Sequence, residues 1–312
     1  MSETELHSVQ ADLVAVLVAV TNGQPRILTT GSGLMLPAGP FTSNHRSLQV
    51  SLRAWVEKQT HHPLGFVEQL YTFADRDRSQ EIGMRAISIS YLALTRELDE
   101  AGQGQPGWQD WYRYFPWEDW RDGMPAVVAE HIAPALTSWA ESASDSVARG
   151  ARWQRAAMTF GLDGHEWNEE LVLQRYELLF EAGFVPEALR AGANAPAAQL
   201  MPGFAMSNDH RRILATGMAR LRAKIKYRPV VYELMPDEFS LLQLQQAVEA
   251  LAGRSLHKQN FRRLIEQQAL VEETGQMTAA GAGRPAKLFR FQRNVMLERA
   301  IAGNKLPLAR TH

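Results

Sequence analysis

The sequence predicts an α+β protein in which a mixed α/β body is followed by a small basic helical domain. Residues 11–94 contain several short β-rich apolar runs and one amphipathic helical pattern. Residues 97–205 combine helical patterns with many aromatic side chains. Residues 207–312 hold 18 Lys and Arg against 9 Asp and Glu, whereas residues 1–206 hold 15 against 25. These three observations predict a body at 1–205, with a helical insert at about 97–205, and a second domain at 206–312.

The charge of the chain is divided unevenly between these two parts. A net charge of −1 for the whole chain conceals an acidic body and a basic C-terminal domain. Such asymmetry favours an anionic partner for the basic part, and a solvated basic surface is the alternative.

Composition excludes several other classes of protein. The chain has 312 residues, 45% of them hydrophobic, which is enough for about two packed domains. It has no cysteine, so disulfides and thiolate metal sites are excluded. No signal-peptide pattern is present, and the longest apolar run, residues 13–20, is too short for a membrane span. We therefore expect a cytoplasmic protein without a membrane partner.

The body is predicted to contain four strands and one helix. Residues 11–20 form a β-rich run, and Asn22-Gly23 is a strong turn signal before a second strand at 26–30. Leu48, Leu52 and Val56 recur at helical spacing within a helix at 46–58. Residues 66–73 and 86–95 are the remaining strands, and the mixture favours an α/β sandwich.

The insert begins with a polar loop and an aromatic cluster. The cluster contains Trp108, Trp111, Tyr112, Tyr114, Phe115, Trp117 and Trp120. These rings could pack the insert onto the body, or they could stack on an adenine ring. Helices are expected near 124–160 and 166–190, followed at 191–203 by a linker or an irregular connection.

The basic domain opens with a helix at 207–226. Its basic residues are Arg211, Arg212, Arg220, Arg222, Lys224 and Lys226. A helix-turn-helix pattern follows: Ser240 is an N-cap, an apolar stripe continues to Leu251, and Gly253 ends the helix. Ser255 is then predicted to cap a second helix at 256–269.

The second helix has the side chains that read DNA. Arg, Lys, Gln and Asn form paired hydrogen bonds with base edges in the major groove. Strands at 270–274 and 287–291 are predicted to form a hairpin with a basic tip. This wing completes a winged helix-turn-helix and is suited to a phosphate backbone or a minor groove. A domain that contacts protein alone is the alternative. The predicted DNA-binding residues are Ser255, His257, Lys258, Gln259, Asn260, Arg262, Arg263, Arg284 and Lys287.

Residues 39–60 resemble a Nudix box that has lost its catalytic carboxylates. With Gly39 as the first glycine of the box, Arg53, Trp55 and Glu57 match the pattern. Nudix hydrolases hold Mg²⁺ through clustered carboxylates, and Mg²⁺ needs such oxygen ligands. We therefore expect no catalytic residue, no metal site and no enzyme. The positions that depart from the pattern are His45, Ala54, Lys58 and Thr60.

Further segments extend the resemblance to the Nudix-related transcriptional regulators. PLGFVEQLYTFADRDR (63–78) and RAISISYLAL (85–94) are similar to their Nudix-like domain, and residues 208–229, 239–266 and 283–291 to their linking helix and winged helix. The long insert, with YELLFEAGFVPEA (176–188), is similar to the NadQ branch. The resemblance implies a Nudix-like α/β sandwich and a homodimeric repressor of NAD biosynthesis genes. The implied effector is NAD, ATP or ADP-ribose, with no required cofactor.

The resemblance also implies a set of ligand-binding residues. Arg53 and Glu57 could instead form a surface pair one helical turn apart. Asp209 matches a family position and could alternatively cap the linking helix, whereas the adjacent His61 and His62 diverge too much for a metal site. The ligand-binding candidates are Arg46, Arg53, Glu57, Glu68, Tyr71 and Arg76, together with Asp75.

Three functions remain open at this point. The first is a regulator that binds a double-stranded DNA operator and a nucleotide effector. The second is an active Nudix pyrophosphatase, against which Ala54 and Lys58 argue. The third is an adaptor that binds RNA or protein.

Overall fold

The structure, a computed structural model, describes residues 9–41, 48–60, 66–74, 85–97, 107–193, 200–226, 230–278 and 285–292. A six-stranded mixed sheet forms the centre of the body, in the order β4-β5-β1-β2-β6, with β3 also paired to β1. β1 and β5 run parallel, and the other pairs are antiparallel. The strands are β1 Val9–Thr21, β2 Gln24–Leu28, β3 Ala38–Pro40, β4 Val67–Phe73, β5 Arg85–Leu94 and β6 Trp108–Asp110.

The four predicted strands of the body are confirmed, and so is the turn between the first two. Asn22 and Gly23 both adopt positive φ, at 52° and 70°, as a tight hairpin requires. The short strands β3 and β6 were not predicted, because three residues are too few to establish an alternating pattern.

Helices cover both faces of the sheet. Helix α1 (Leu48–Thr60) buries Leu52 and Val56 against one face. The linking helix α6 (His210–Ile225) packs on the opposite face, where a β-carbon at Gly217 would lie 3.0 Å from Val16 Cγ1. This close approach fixes α6 directly on the central strand. The sandwich predicted from the sequence is therefore present.

The insert contains more breaks than the sequence predicted. Short 3₁₀ turns at Trp111–Arg113 and Pro116–Glu118 precede a π-helical turn at Val128–Ile132. The two predicted helices are wrong as continuous elements. The insert's α-helices are α2 Ala133–Glu141, α3 Ser146–Phe160, α4 Val172–Glu181 and α5 Pro186–Arg190.

Local signals explain these breaks. Asp145 caps α3 by accepting a hydrogen bond from Ala148 N (2.8 Å), so the chain must restart a helix there. Gly161 ends α3 in the left-handed region, with φ 68°.

The aromatic cluster packs the insert onto the body. Trp111, Tyr114, Phe115 and Trp117 have no exposed surface. Trp120 instead stacks on Trp167, with ring centroids 4.9 Å apart. The packing interpretation is confirmed, and the buried rings leave no free face for an adenine.

The C-terminal domain is a winged helix. Its elements are α7 (Leu241–Ala252), α8 (Lys258–Gln267) and the antiparallel hairpin of β7 (Val271–Met277) and β8 (Lys287–Phe291). Ser240 and Gln243 form a reciprocal capping box, and Gly253 ends α7 with φ 70°, as predicted. Phe239 exchanges two backbone hydrogen bonds with Phe289, which fastens the hairpin to the start of α7.

One predicted cap is wrong. Helix α8 begins at Lys258, with His257 rather than Ser255 in the N-cap position. The hydroxyl of Ser255 donates instead to the carbonyl oxygen of Arg121 (2.6 Å). A contact with the insert has therefore replaced the local cap.

Candidate nucleic-acid interface and ligand site

Helix α8 presents a polar face and buries an apolar one. Phe261 and Ile265 are each 1% exposed and anchor the helix in the core of the winged helix. Asn260 is half-buried at the edge of the polar face. Glu266 and Gln267 near the end of the helix are also exposed. The predicted DNA-binding side chains that are exposed in and just before α8 are Ser255, His257, Lys258, Gln259, Arg262 and Arg263.

Two side chains of α7 orient the turn that leads into α8. Glu249 Oε1 accepts hydrogen bonds from Leu256 N (2.8 Å) and from Gln245 Nε2 (2.9 Å). Gln245 Nε2 also donates to the Leu256 carbonyl oxygen (3.0 Å). Sequence analysis missed both residues, although their spacing of four on α7 is the signal that could have found them.

The hairpin contributes a mixed charge pattern to the same domain. Lys287 Nζ lies 2.9 Å and 3.0 Å from the two carboxylate oxygens of Glu273, and Arg290 pairs with Glu272 (2.5 Å). These pairs are exposed, so they can exchange for phosphate at little cost. Arg284 lies outside the described residues.

The end of α7 is bonded to the insert and to α6 rather than left to solvent. The hydroxyl of Tyr112 donates to the carbonyl oxygen of Ala250 (2.7 Å), and Arg222 Nε donates to that of Leu251 (2.9 Å). Trp120 N donates to the carbonyl oxygen of Gly253 (2.7 Å). These acceptors lie at the helix end, where carbonyls have no partner within the helix.

A buried carboxylate organises this junction. Glu118 pairs with Arg175, at 2.5 Å and 2.8 Å, and with Arg222 Nη1 at 2.6 Å, and all three side chains are fully buried. Burial lowers the pKa of Arg222. Tyr112 and Glu118 act in the opposite direction and raise that pKa above its ordinary value. Arg222 therefore stays charged and fixed in place.

Most basic residues of the linking helix are neutralised by acidic partners within the protein. Arg211 pairs with Glu187 (3.2 Å) and Arg222 with Glu118, both fully buried. Arg220 alone among the six cations of the described helix is exposed. The C-terminal charge excess therefore overstates the cationic surface. The remaining pairs are Arg212 with Glu177 and Asp209, Lys224 with Glu68, and Lys226 with Glu169 and Glu170.

Four of the predicted ligand residues lie within the described part of the chain, on more than one element. Arg53 and Glu57 lie on α1, whereas Glu68 pairs with Lys224 of α6, on the opposite face of the sheet. Tyr71 is 61% exposed, with its ring 5.2 Å from that of Phe73. Glu68 therefore contacts α6 and lies on the other face of the sheet from α1.

The remaining positions of the predicted ligand site can be followed in part. Ala54 is exposed on α1, where it supplies no oxygen ligand. Within the described ranges, no group of three or more His, Asp or Glu residues could hold a metal ion. The predicted positions outside the described residues are His45, Arg46, His61, His62, Asp75 and Arg76, together with the side chains of Trp55, Lys58 and Thr60.

A buried histidine lies at the start of α6, and its surroundings favour the uncharged ring. His210 Nδ1 accepts a hydrogen bond from Leu36 N (2.8 Å), and burial lowers the pKa of His210 to about 4. Asp209 occupies the N-cap position without capping through its side chain, and its carboxylate binds Arg212 (3.2 Å). The interpretation of Asp209 as a side-chain cap is therefore wrong.

Comparison with known proteins identifies the C-terminal domain. Residues 231–291 match the NrtR DNA-binding winged helix domain. The ADPR responsive transcriptional repressor NtrR of Acinetobacter baylyi is 42% identical over 83 residues, which are 27% of this chain and 33% of the relative. The chain thus aligns with about a third of that relative's length.

Two solved structures share the overall fold. Shewanella oneidensis NrtR complexed with a 27mer DNA matches with a TM-score of 0.53 and 18% identity, over 92% of this chain and 95% of that one. A MutT/nudix family protein from Enterococcus faecalis matches with a TM-score of 0.51 and 16% identity, over 92% and 90%. The chain therefore has a Nudix-like domain followed by an NrtR-like winged helix. In the described part of the chain, no helix is long and apolar enough to cross a membrane.

Proposed function

We propose that this chain is a ligand-responsive transcriptional repressor that binds double-stranded DNA through α8. The observation that carries the proposal is the division of α8 into a buried apolar face and an exposed face of hydrogen-bonding side chains. Lys, Arg, Gln and Asn on a helix of this kind form paired hydrogen bonds with base edges. The match of residues 231–291 to a DNA-binding winged helix supports the same conclusion.

The Nudix-like domain is the proposed sensor of a nucleotide effector. The Acinetobacter baylyi relative is named as responsive to ADPR, which makes ADP-ribose the first effector to test, with NAD and ATP as the related nucleotides. Arg53 supplies a cation for diphosphate oxygens, and the rest of the predicted ligand set stays a prediction. Genes of NAD biosynthesis are the proposed targets.

We propose a cytoplasmic homodimer as the active form. Two winged helices can then read two half-sites about one helical turn apart, or a multiple of it. Effector binding would release or strengthen DNA binding by changing the separation of the two reading helices. To move the population decisively, the effector must prefer one arrangement by several kcal/mol.

Selection from a randomised duplex pool tests the proposal. The full chain should enrich a defined sequence and bind it at least ~10³-fold more tightly than a scrambled duplex of equal composition. ADP-ribose, NAD and ATP are then added separately, with adenosine as the matched control without phosphate. A wild-type chain that binds both duplexes equally would overturn the proposal.

An assay of the same nucleotides with Mg²⁺ addresses the pyrophosphatase alternative. Ala54 leaves a carboxylate position of the box empty, so we expect no turnover. Hydrolysis at roughly 1 s⁻¹ or faster would assign the domain to the enzymes instead.

A further inference from the structure

We propose that the helical insert orients the reading helix α8, with Tyr112 and Trp120 as positioning residues. The inference rests on the proposed function, because it concerns how the winged helix reads DNA. Its basis is the set of hydrogen bonds that the insert and α6 make to the end of α7. The insert thereby acquires a role that its aromatic packing alone does not give it.

The carbonyls at the end of α7 supply the first step. The last carbonyls of a helix have no partner within it and ordinarily bond to water or to a cap. Here Ala250, Leu251 and Gly253 are buried, and their carbonyl oxygens accept from Tyr112, Arg222 and Trp120. Loss of such a buried partner leaves an unsatisfied acceptor, so tilting α7 away from the insert is costly.

A second set of bonds ties the turn between α7 and α8 to the sheet. Arg121 Nη1 donates to the carbonyl oxygen of Gly23 in the β1–β2 turn (2.9 Å), and Asp119 holds the guanidinium at 2.8 Å through each carboxylate oxygen. The carbonyl oxygen of Arg121 accepts from Ser255 Oγ (2.6 Å). Arg121 therefore joins the sheet to the turn that precedes α8.

The turn after α7 packs so closely against the insert and α6 that it has little room to move. A β-carbon at Gly253 would lie 2.4 Å from the carbonyl oxygen of Glu118 and 2.6 Å from Arg222 Nη2. Since Lys258 begins α8 a few residues later, displacement of this turn moves the whole reading face. Paired hydrogen bonds to bases depend on distance and angle, so a small rotation lowers sequence preference more than phosphate binding.

Two tyrosines of the insert provide a matched test. The hydroxyl of Tyr112 donates to Ala250 in the winged helix, and that of Tyr114 donates to Gly33 in the body, both at 2.7 Å and both buried. Tyr112→Phe and Tyr114→Phe each remove one hydroxyl and leave one carbonyl unsatisfied, and Tyr112→Phe also removes a long contact from Arg222 Nη2 (3.4 Å). We expect both variants to lower the melting temperature, Tyr112→Phe by only slightly more, because Arg222 Nη2 keeps its bond to the Glu118 carbonyl oxygen (3.0 Å).

The DNA readout separates positioning from stability. The probes are the duplex selected by the wild-type chain and its scrambled counterpart, measured with the full-length protein. Tyr112→Phe should lower the ratio of the two affinities on the order of tenfold, the size of one lost paired base contact, with affinity for scrambled DNA unchanged. Tyr114→Phe should leave the ratio at the wild-type value.

Ser255→Ala offers a second variant with less risk to folding. It removes the exposed hydroxyl bond to Arg121 and should lower the same ratio in the same direction. Because Ser255 is itself a predicted DNA contact, Asp119→Asn, which weakens the hold on Arg121 from outside the predicted contacts, should lower the ratio as well. If Tyr112→Phe and Ser255→Ala both keep the wild-type ratio, the insert does not position α8 and the inference is overturned. A wild-type chain without preference for any duplex would instead contradict the proposed function.

Discussion

Glu118 lies 2.6 Å from Arg222 Nη1, and neither side chain has any exposed surface. The contact joins the insert to the linking helix, 104 residues further along the chain. Arg175 of α4 shares the same carboxylate, so one acidic group holds two buried guanidinium groups. The stability of the junction therefore depends on a single negative charge.

Glu118→Gln should be strongly destabilising for this reason. Removing one partner of a buried ion pair leaves an uncompensated charge and typically costs about 3–5 kcal/mol. The free energy of unfolding from urea titration measures the effect. Glu181→Gln is the matched control, because Glu181 pairs with Arg155 on an exposed surface and should cost about 1 kcal/mol or less. Equal losses in the two variants would contradict the prediction.

Gly253→Ala should cost more than Gly23→Ala, although both glycines have φ of 70°. Left-handed backbone alone costs a non-glycine residue about 1–2 kcal/mol. At Gly23 the nearest atom to an added β-carbon is Gln246 Cβ at 3.9 Å, so strain is the main cost. At Gly253 the clash with Glu118 should add about 1–3 kcal/mol. Urea titration of both variants gives the difference, and a difference near zero would show that the junction opens easily.

His210 should make the protein lose stability in mild acid. Its pKa in the folded protein is about 4, below the ordinary value of 6.5, because burial disfavours the charged ring. The unfolded chain therefore takes up the proton first, and stability falls as pH drops from about 6.5 towards 4. The loss from this residue between pH 7 and pH 5 should be about 2 kcal/mol.

The variant His210→Asn isolates that contribution. It should be less stable than wild type at pH 7, because the acceptor for Leu36 N is altered. Between pH 7 and pH 5 its free energy of unfolding should fall less than that of wild type, by the same amount of about 2 kcal/mol. Parallel pH profiles for the two proteins would assign the acid sensitivity to other groups.

Arg262→Ala should lower discrimination between selected and scrambled DNA by about 1–3 kcal/mol. Arg262 is exposed on the polar face of α8, where a guanidinium can form two hydrogen bonds with a guanine. Arg149→Ala, which removes an exposed cation of α3, is the control and should leave discrimination unchanged. Titrations of both duplexes at one salt concentration provide the comparison, and equal effects of the two variants would remove Arg262 from base reading.

The parts of the fold with strong local signals were predictable. Ser240 and Gly253 delimit α7 through short-range hydrogen bonds and a left-handed backbone, both of which follow from residue type. Asn22 and Gly23 mark the first hairpin in the same way. The exposed residues of α8 also follow from helical periodicity, since Phe261 and Ile265 fix which face is buried.

Contacts between distant segments were not predictable by these rules. Arg211 and Arg222 count as basic residues of a solvated helix in the sequence, but their partners Glu187 and Glu118 lie on other elements. Ser255 has the chemistry of an N-cap, and tertiary contact with Arg121 overrides that preference. The partner of Glu68, one of the ligand candidates, was not predictable for the same reason, because Lys224 lies on α6.

Most cations of the linking helix are held in ion pairs within the protein. This affects how the affinity for DNA depends on salt concentration. Each phosphate neutralised by a protein cation releases condensed counterions and contributes about −0.9 to the slope of log affinity against log salt for B-DNA. The fully buried Arg211 and Arg222 cannot contact phosphates, so among the described residues the slope should be set by Arg220 and the cations of α8 and of the hairpin. We therefore expect a shallower slope than the excess of C-terminal Lys and Arg suggests. The internal ion pairs are the reason for the difference.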